Sequence, residues 1–249
     1  MEKNKKKKII ISVIIIVAVI IGFLLNQPVR ALMAMFTMET LESRQVMTDV
    51  YAVKNSFVNI YLVKGGDKYI AFDAGTDAKS MKAALGGLGI EESDITAVFL
   101  THTDADHVAA IPSFSAAEIY MSASNQAFIS EKEGRSRSKA FVDMERDYTT
   151  IGDYETINIA GIAVQCIFTP GHTDGSACYI VNGKYLISGD NLRLKDGKAG
   201  LFYDVFNMDN EMQKQSLRKL SVLEGIEAIF TMHTGSSADF HAAFVGWRD

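Results

Sequence analysis

The stretch THTDADH, Thr101 to His107, packs two histidines and two aspartates into seven residues of a chain with only 5 His among its 249. It directly follows DITAVFL, a short apolar run of the kind buried on both faces of a sheet. The remaining His and Asp candidates sit in the same way. His172 lies in TPGHTDGS, Asp190 in ISGDNL and His233 in FTMHTG, each after an apolar run that reads as a strand. In α/β sheets, ligands are held beyond strand ends by loops that the rigid sheet fixes in place. A lone histidine in such a loop reads as a surface or satisfied core residue. Four of five histidines placed this way read as one metal centre.

The intervening segments fit a layered α/β domain. Val58 to Val63 and Tyr69 to Phe72 flank a Gly65-Gly66-Asp67 turn and form a hairpin. DAKSMKAALGGLGI reads as an amphipathic helix ended by glycine. After a short strand at AEIYMS, the polar stretch from Ser122 to about Tyr154, with its basic EGRSRSK, reads as a solvated helix and loop. ETINIAGIAVQCIFTP and SACYIVNGKYLISGD supply further strands, the second with a turn at Asn182-Gly183. NMDNEMQKQSLRKLSVLEG is an amphipathic helix with Leu217, Leu220 and Leu223 on one side, and IEAIFTMHTG is a last strand. Cys166 and Cys178, the 2 Cys of the chain, lie on neighbouring apolar runs, and both a disulfide and a pair of buried free thiols stay open.

In order and spacing, FDAGTD, FLTHTDADH, TPGHTDGSACYIVNGKYLISGD and MHTG together resemble the metallo-β-lactamase-fold hydrolases. That family carries His-x-His-x-Asp-His followed by a lone His, a lone Asp and a last His. The resemblance runs from about Thr48 to the end of the chain. It implies a four-layer αββα sandwich with two divalent metal ions at one edge. His102, His172 and Asp190 would hold the first ion, with Asp104 as a further ligand. Asp106, His107 and His233 would hold the second, and Asp190 would bridge the two. Asp106 also matches a residue placed to accept a proton from the nucleophile. Asp73, in FDAG, matches a carboxylate that steadies the histidine-rich loop.

Asp104 departs from the family pattern, which has histidine there. Three aspartates against two divalent cations leave a net charge of about +1, where the usual two aspartates leave +2. Zinc is the expected metal, and the added oxygen ligand at 104 leaves iron or manganese open. Two alternatives are open for Asp104, a metal ligand or a side chain too short to reach. The resemblance implies a metal-bound hydroxide acting on a small-molecule substrate through an ester, lactone, thioester, phosphodiester or related bond. Tyr203, in GLFYDVF, is a weak candidate for donating to an oxyanion, and His241 has no assigned role. Two further readings stay open: an iron-dependent oxidoreductase-like centre, since the diiron flavoproteins of the superfamily also carry a carboxylate at this position, and a non-catalytic metal-stabilised sensor or binding module.

The N-terminus is of another kind. EKNKKKK precedes a run from Ile9 to Leu25 in which Ser12 is the only polar residue, 17 residues at the short end of what spans a bilayer. Lysines before an all-round apolar segment read as a single-pass signal-anchor over residues 1–30, with a linker over 31–47 and an exported domain over 48–249. The alternative is a signal peptide cleaved to release a secreted domain. Residues 1–8 carry five Lys and one Glu, +4 in all, so of the net −5 the rest of the chain carries −9. So acidic a domain is a poor general binder of nucleic acid, which argues against a nuclease.

Overall fold

Two sheets stacked face to face place every strand end that matters at one rim. In the computed structural model, the described residues are 10, 12–14, 16–17, 19–23, 26–125 and 146–248. The lysine cluster and most of the polar stretch expected as solvated helix and loop lie outside them. The contacts divide the chain into two units, Met1–Met38 and Glu39–Asp249.

The first sheet of the larger unit runs in sequence order. It comprises β1 (Arg44–Gln45), β2 (Val50–Asn55), β3 (Val58–Gly65), β4 (Lys68–Phe72), β5 (Ile95–Leu100), β6 (Glu118–Ser122) and β7 (Thr149–Ile151). The pairs from β1 to β4 are antiparallel and those from β4 to β7 parallel. Parallel neighbours need a crossover, and α2 (Ala78–Gly87) supplies the one between β4 and β5. Asp77 starts that helix by accepting the Ser80 N–H at 2.7 Å, as an N-cap aspartate does.

The second sheet has the order β15-β14-β11-β10-β9-β8, built from β8 (Thr156–Ile159), β9 (Ile162–Phe168), β10 (Ala177–Val181), β11 (Tyr185–Ile187), β14 (Ala228–Phe230) and β15 (Ser236–Ser237). The short ribbon of β12 (Arg193–Lys195) and β13 (Lys198–Gly200) stands apart from both sheets. Between β10 and β11, Asn182 and Gly183 take φ of 52° and 69°, the left-handed pair that these residue types accept in a tight turn.

Period-two alternation then sorts the side chains into three cores. Phe72, Phe99, Val164, Cys166, Tyr179 and Phe230 fill the space between the sheets. Ile60, Leu62, Val98 and Leu100 face outward from the first sheet onto Met81 and Leu85 of α2. Ile167, Cys178, Ile180 and Leu186 face outward from the second onto Leu217 and Leu220 of α4 (Asn210–Ser221), with Leu223 partly buried beside them. Helix, sheet, sheet, helix is the four-layer αββα arrangement expected from the resemblance. Cys166 and Cys178 belong to different cores, on opposite faces of the sheet, and both are free thiols. They form no disulfide.

In the smaller unit, the helices Ser12–Phe23 and α1 (Gln27–Phe36) bend by 70° at their break. Among the described residues, no single helix is long and apolar enough to cross a membrane, although the bent pair together has the length and composition. The expected single spanning helix is therefore not seen as one element. Pro28 explains the start of α1, because proline at a first helical turn costs no backbone hydrogen bond.

Candidate metal centre

Four loops leave the rim of the two sheets and carry the seven residues singled out in the sequence. The loop after β5 brings His102 and Asp104, then turns into the single helical turn α3 (Ala105–Val108), which carries Asp106 and His107. The loops after β9, β11 and β14 bring His172, Asp190 and His233. Gly189 lets the third loop in: its φ is +56°, and a Cβ there would come within 2.5 Å of Thr101 Oγ1. All four of these histidines and Asp190 are buried, whereas the side chains of Asp104 and Asp106 keep 16% and 26% exposure.

The donor atoms form two adjoining clusters. In the first, Asp104 Oδ2 lies 3.6 Å from His102 Nε2 and 3.4 Å from His172 Nε2. In the second, Asp106 Oδ2 lies 3.5 Å from His107 Nε2 and 3.3 Å from His233 Nε2. Asp190 joins them, with Oδ2 3.4 Å from His172 Nε2 and Oδ1 3.6 and 3.3 Å from the Nε2 atoms of His107 and His233. The aspartate side chain at 104 is thus long enough to stand among the donors.

Each imidazole is oriented from behind. His107 Nδ1 faces Asp73 Oδ2 at 2.7 Å, and His233 Nδ1 faces the Phe57 carbonyl at 2.9 Å. Both oxygens only accept, so both Nδ1 atoms carry the proton and leave Nε2 to the cluster. His102 Nδ1 meets Thr101 Oγ1 at 3.0 Å, and that hydroxyl gives its own proton to Asp73 Oδ2 at 2.8 Å. Asp73 also accepts the Thr101 N–H at 2.7 Å. One buried carboxylate therefore orients a histidine in each cluster, one directly and one through a hydroxyl. His172 Nδ1 meets Asn207 Oδ1 at 3.1 Å, while Asn207 Nδ2 donates to Gln213 Oε1 at 2.8 Å.

The sequence profile of the metallo-β-lactamase superfamily matches residues 53–233, which contain all of these side chains. The chain belongs to the metallo-β-lactamase superfamily. A probable polyketide biosynthesis zinc-dependent hydrolase of Bacillus subtilis is 32% identical over 104 residues, covering 41% of this chain and 40% of that one. A hydroxyacylglutathione hydrolase of Rhizobium meliloti is 28% identical over 190 residues, or 71% of this chain and 63% of that one. The chain therefore spans 40% and 63% of the lengths of these two relatives. A metallo-β-lactamase family protein of Thermus thermophilus has the same fold, with a TM-score of 0.62 at 21% identity over 81% of this chain and 79% of that one.

The donors fit divalent metal. Ligand atoms about 2.0 to 2.2 Å from a tetrahedral ion stand about 3.3 to 3.6 Å from one another, the spacings measured here. His102 Nε2, His107 Nε2, His233 Nε2 and Asp190 Oδ1 are buried atoms with no hydrogen-bond partner. Buried polar atoms seldom go unsatisfied, and four of them gathered in two adjoining clusters call for metal. Electrostatics agrees. Burial opposes charge on His107 and His233, yet the carboxylates of Asp106 and Asp190 outweigh it, pushing His107 well above the usual range and His233 up to about 10. Burial likewise opposes ionisation of Asp106 and Asp190, but the same imidazoles hold both carboxyls well below the usual range. With protein groups alone, shared protons balance the cluster, and divalent cations can take their place.

Several features of the centre were not legible in the sequence. Thr101, Asn207, Gln213 and the Phe57 carbonyl all act behind the histidines, and although Thr101 stands in THTDADH, that stretch gives no sign of its role. Phe202 sets its ring edge-on to His172, 5.1 Å between centroids, and lies 5.6 Å from His233, while Phe57 stacks on His233 at 5.8 Å. The centre is thus walled by phenyl rings on the His172–His233 side. Tyr203 packs into this wall, against Phe202 at 5.1 Å and with the Arg193 guanidinium over its ring at 4.7 Å. His241 is on α5 (Phe240–Ala243), beside Arg248 and outside the clusters.

Proposed function

We propose that the chain is a membrane-tethered dinuclear metal-dependent hydrolase that cleaves an ester, lactone, thioester, phosphodiester or related bond of a small molecule. The observation that carries this reading is the convergence of seven His and Asp donors at 3.3 to 3.6 Å spacing, with Asp190 shared between the two clusters. His102, Asp104 and His172 would hold one cation, Asp106, His107 and His233 the other, and Asp190 both. Two divalent cations so placed make water nucleophilic at neutral pH and polarise the bond to be cleaved. Zinc is the first candidate, named for one relative, and the carboxylate of Asp104 keeps iron and manganese in play. Asp106, which is partly exposed, can take up the proton that the attacking water gives up, while Asp73 and Asn207 keep the protons of His107 and His172 on Nδ1. The name of one relative, a hydroxyacylglutathione hydrolase, puts acyl thioesters first among the bonds to test.

Tethering rests on the N-terminal segment. Ile14, Val19 and Phe23 expose 61%, 65% and 58% of their surface there, which water disfavours and lipid accepts. With the lysines on the cytoplasmic side, the metal-binding unit would be exported. Elemental analysis and a panel of thioester, ester, lactone and phosphodiester substrates test the chemistry. His102→Ala and Asp190→Ala should lose both metal content and hydrolysis. Full turnover by either variant after chelator treatment would overturn the reading.

A further inference from the structure

We infer that Asp104 makes the two metal positions chemically equivalent, so that a half-loaded protein does not choose between them. The inference rests on the dinuclear reading above and goes beyond it to how the centre fills. With histidine at 104, one position would have three imidazoles and a share of Asp190, and the other two imidazoles, a carboxylate and a share of Asp190. With aspartate there, both have the same set.

The geometry repeats the match. In each cluster the Oδ2 of that cluster's own aspartate faces two Nε2 atoms, at 3.4 and 3.6 Å in one and 3.3 and 3.5 Å in the other. Asp190 gives one oxygen to each cluster, turning Oδ2 to His172 and Oδ1 to His107 and His233. The two aspartates also flank one short turn, Asp104 just before α3 and Asp106 within it, and both side chains are partly exposed at 16% and 26%. Formal charge follows: one carboxylate per position and one shared. Neither position is therefore the softer, nitrogen-rich site that would draw zinc first, since ligand type is what separates such positions. Behind the donors the parallel continues, because Asp73 supports His107 directly and His102 through Thr101.

The test is a titration of the full chain, stripped with chelator, using Co²⁺ alone and reading its visible absorption. For the wild-type protein, the band at one equivalent should superimpose after scaling on the band at two, with intensity linear to two equivalents. Asp104→His should split the response into two differently shaped bands, filling in order with a break at one equivalent. Asp104→Glu, which keeps the carboxylate, should retain the single band shape. Two bound Co²⁺ with distinct bands in the wild-type protein would overturn the inference and leave the dinuclear reading standing. Uptake of no Co²⁺, or of only one, would sink both.

Discussion

Replacing Asp73 by asparagine should weaken cation binding at both positions of the centre. The buried carboxylate accepts three hydrogen bonds, from the Thr101 N–H at 2.7 Å, the Thr101 hydroxyl at 2.8 Å and His107 Nδ1 at 2.7 Å. An amide keeps one accepting oxygen and turns an NH₂ toward the other partners. Thr101 can rotate its hydroxyl to accept, but doing so frees the proton that now leaves its oxygen available to His102. His107 can meet the NH₂ only by moving its proton to Nε2, the atom aimed at the cluster. Losing a supporting partner of this kind costs about 10- to 100-fold in metal affinity, or about 1.4 to 2.8 kcal/mol. The assay is competition between the protein and a chromophoric chelator for Zn²⁺, with circular dichroism to show an unchanged fold. The control is Thr101→Val, which keeps the shape and cuts only the link to His102. It should weaken binding less than Asp73→Asn. Folded Asp73→Asn protein that holds both cations within twofold of wild type would refute the argument.

Other outcomes follow from neighbouring features. Asn207→Ala strips His172 of its oxygen at 3.1 Å and should lower metal affinity about tenfold in the same competition, with chain folding retained. Gly189→Ala should lower the thermal midpoint of the metal-free protein, because its φ of +56° is strained for alanine and its Cβ would strike Thr101; an unchanged midpoint would show that the loop gives way. Burial pushes the Cys166 and Cys178 thiols up to about 12, so neither is a thiolate at pH 8. Native protein should therefore resist a thiol reagent that titrates two groups after denaturation, and rapid native labelling would contradict the packing. After cell lysis, the chain should sediment with membranes and resist alkaline carbonate extraction, and deletion of residues 1–30 should move it to the supernatant.

What could be read in advance was what depends on local sequence. The β3–β4 hairpin, α2 with its aspartate cap and the Asn182-Gly183 turn declare themselves within a few residues, because turn and cap preferences are local. The donors stood out because histidine is scarce here and each lies just past an apolar strand. The partners of their Nδ1 atoms did not. Asn207 precedes a helix whose cap is Asp209, so its neighbours suggest a terminus and not a support for His172. Gln213 lies on the buried face of α4, where a polar side chain gains meaning only from the Asn207 side chain and the Asp190 carbonyl brought to it by folding. The parallel pairing of β11 with β14, about forty residues apart, likewise leaves no mark on either segment. The length of Asp104 relative to its site could be judged only once His102 and His172 were placed in space.

The separation of Cys166 and Cys178 on opposite faces of one sheet has a practical side. With both cysteines of the chain free, no disulfide between them forms or breaks with the redox poise of the surroundings. A reducing cytosol and an oxidising compartment should therefore yield the same folded unit, and material made in either is a fair stand-in for the other.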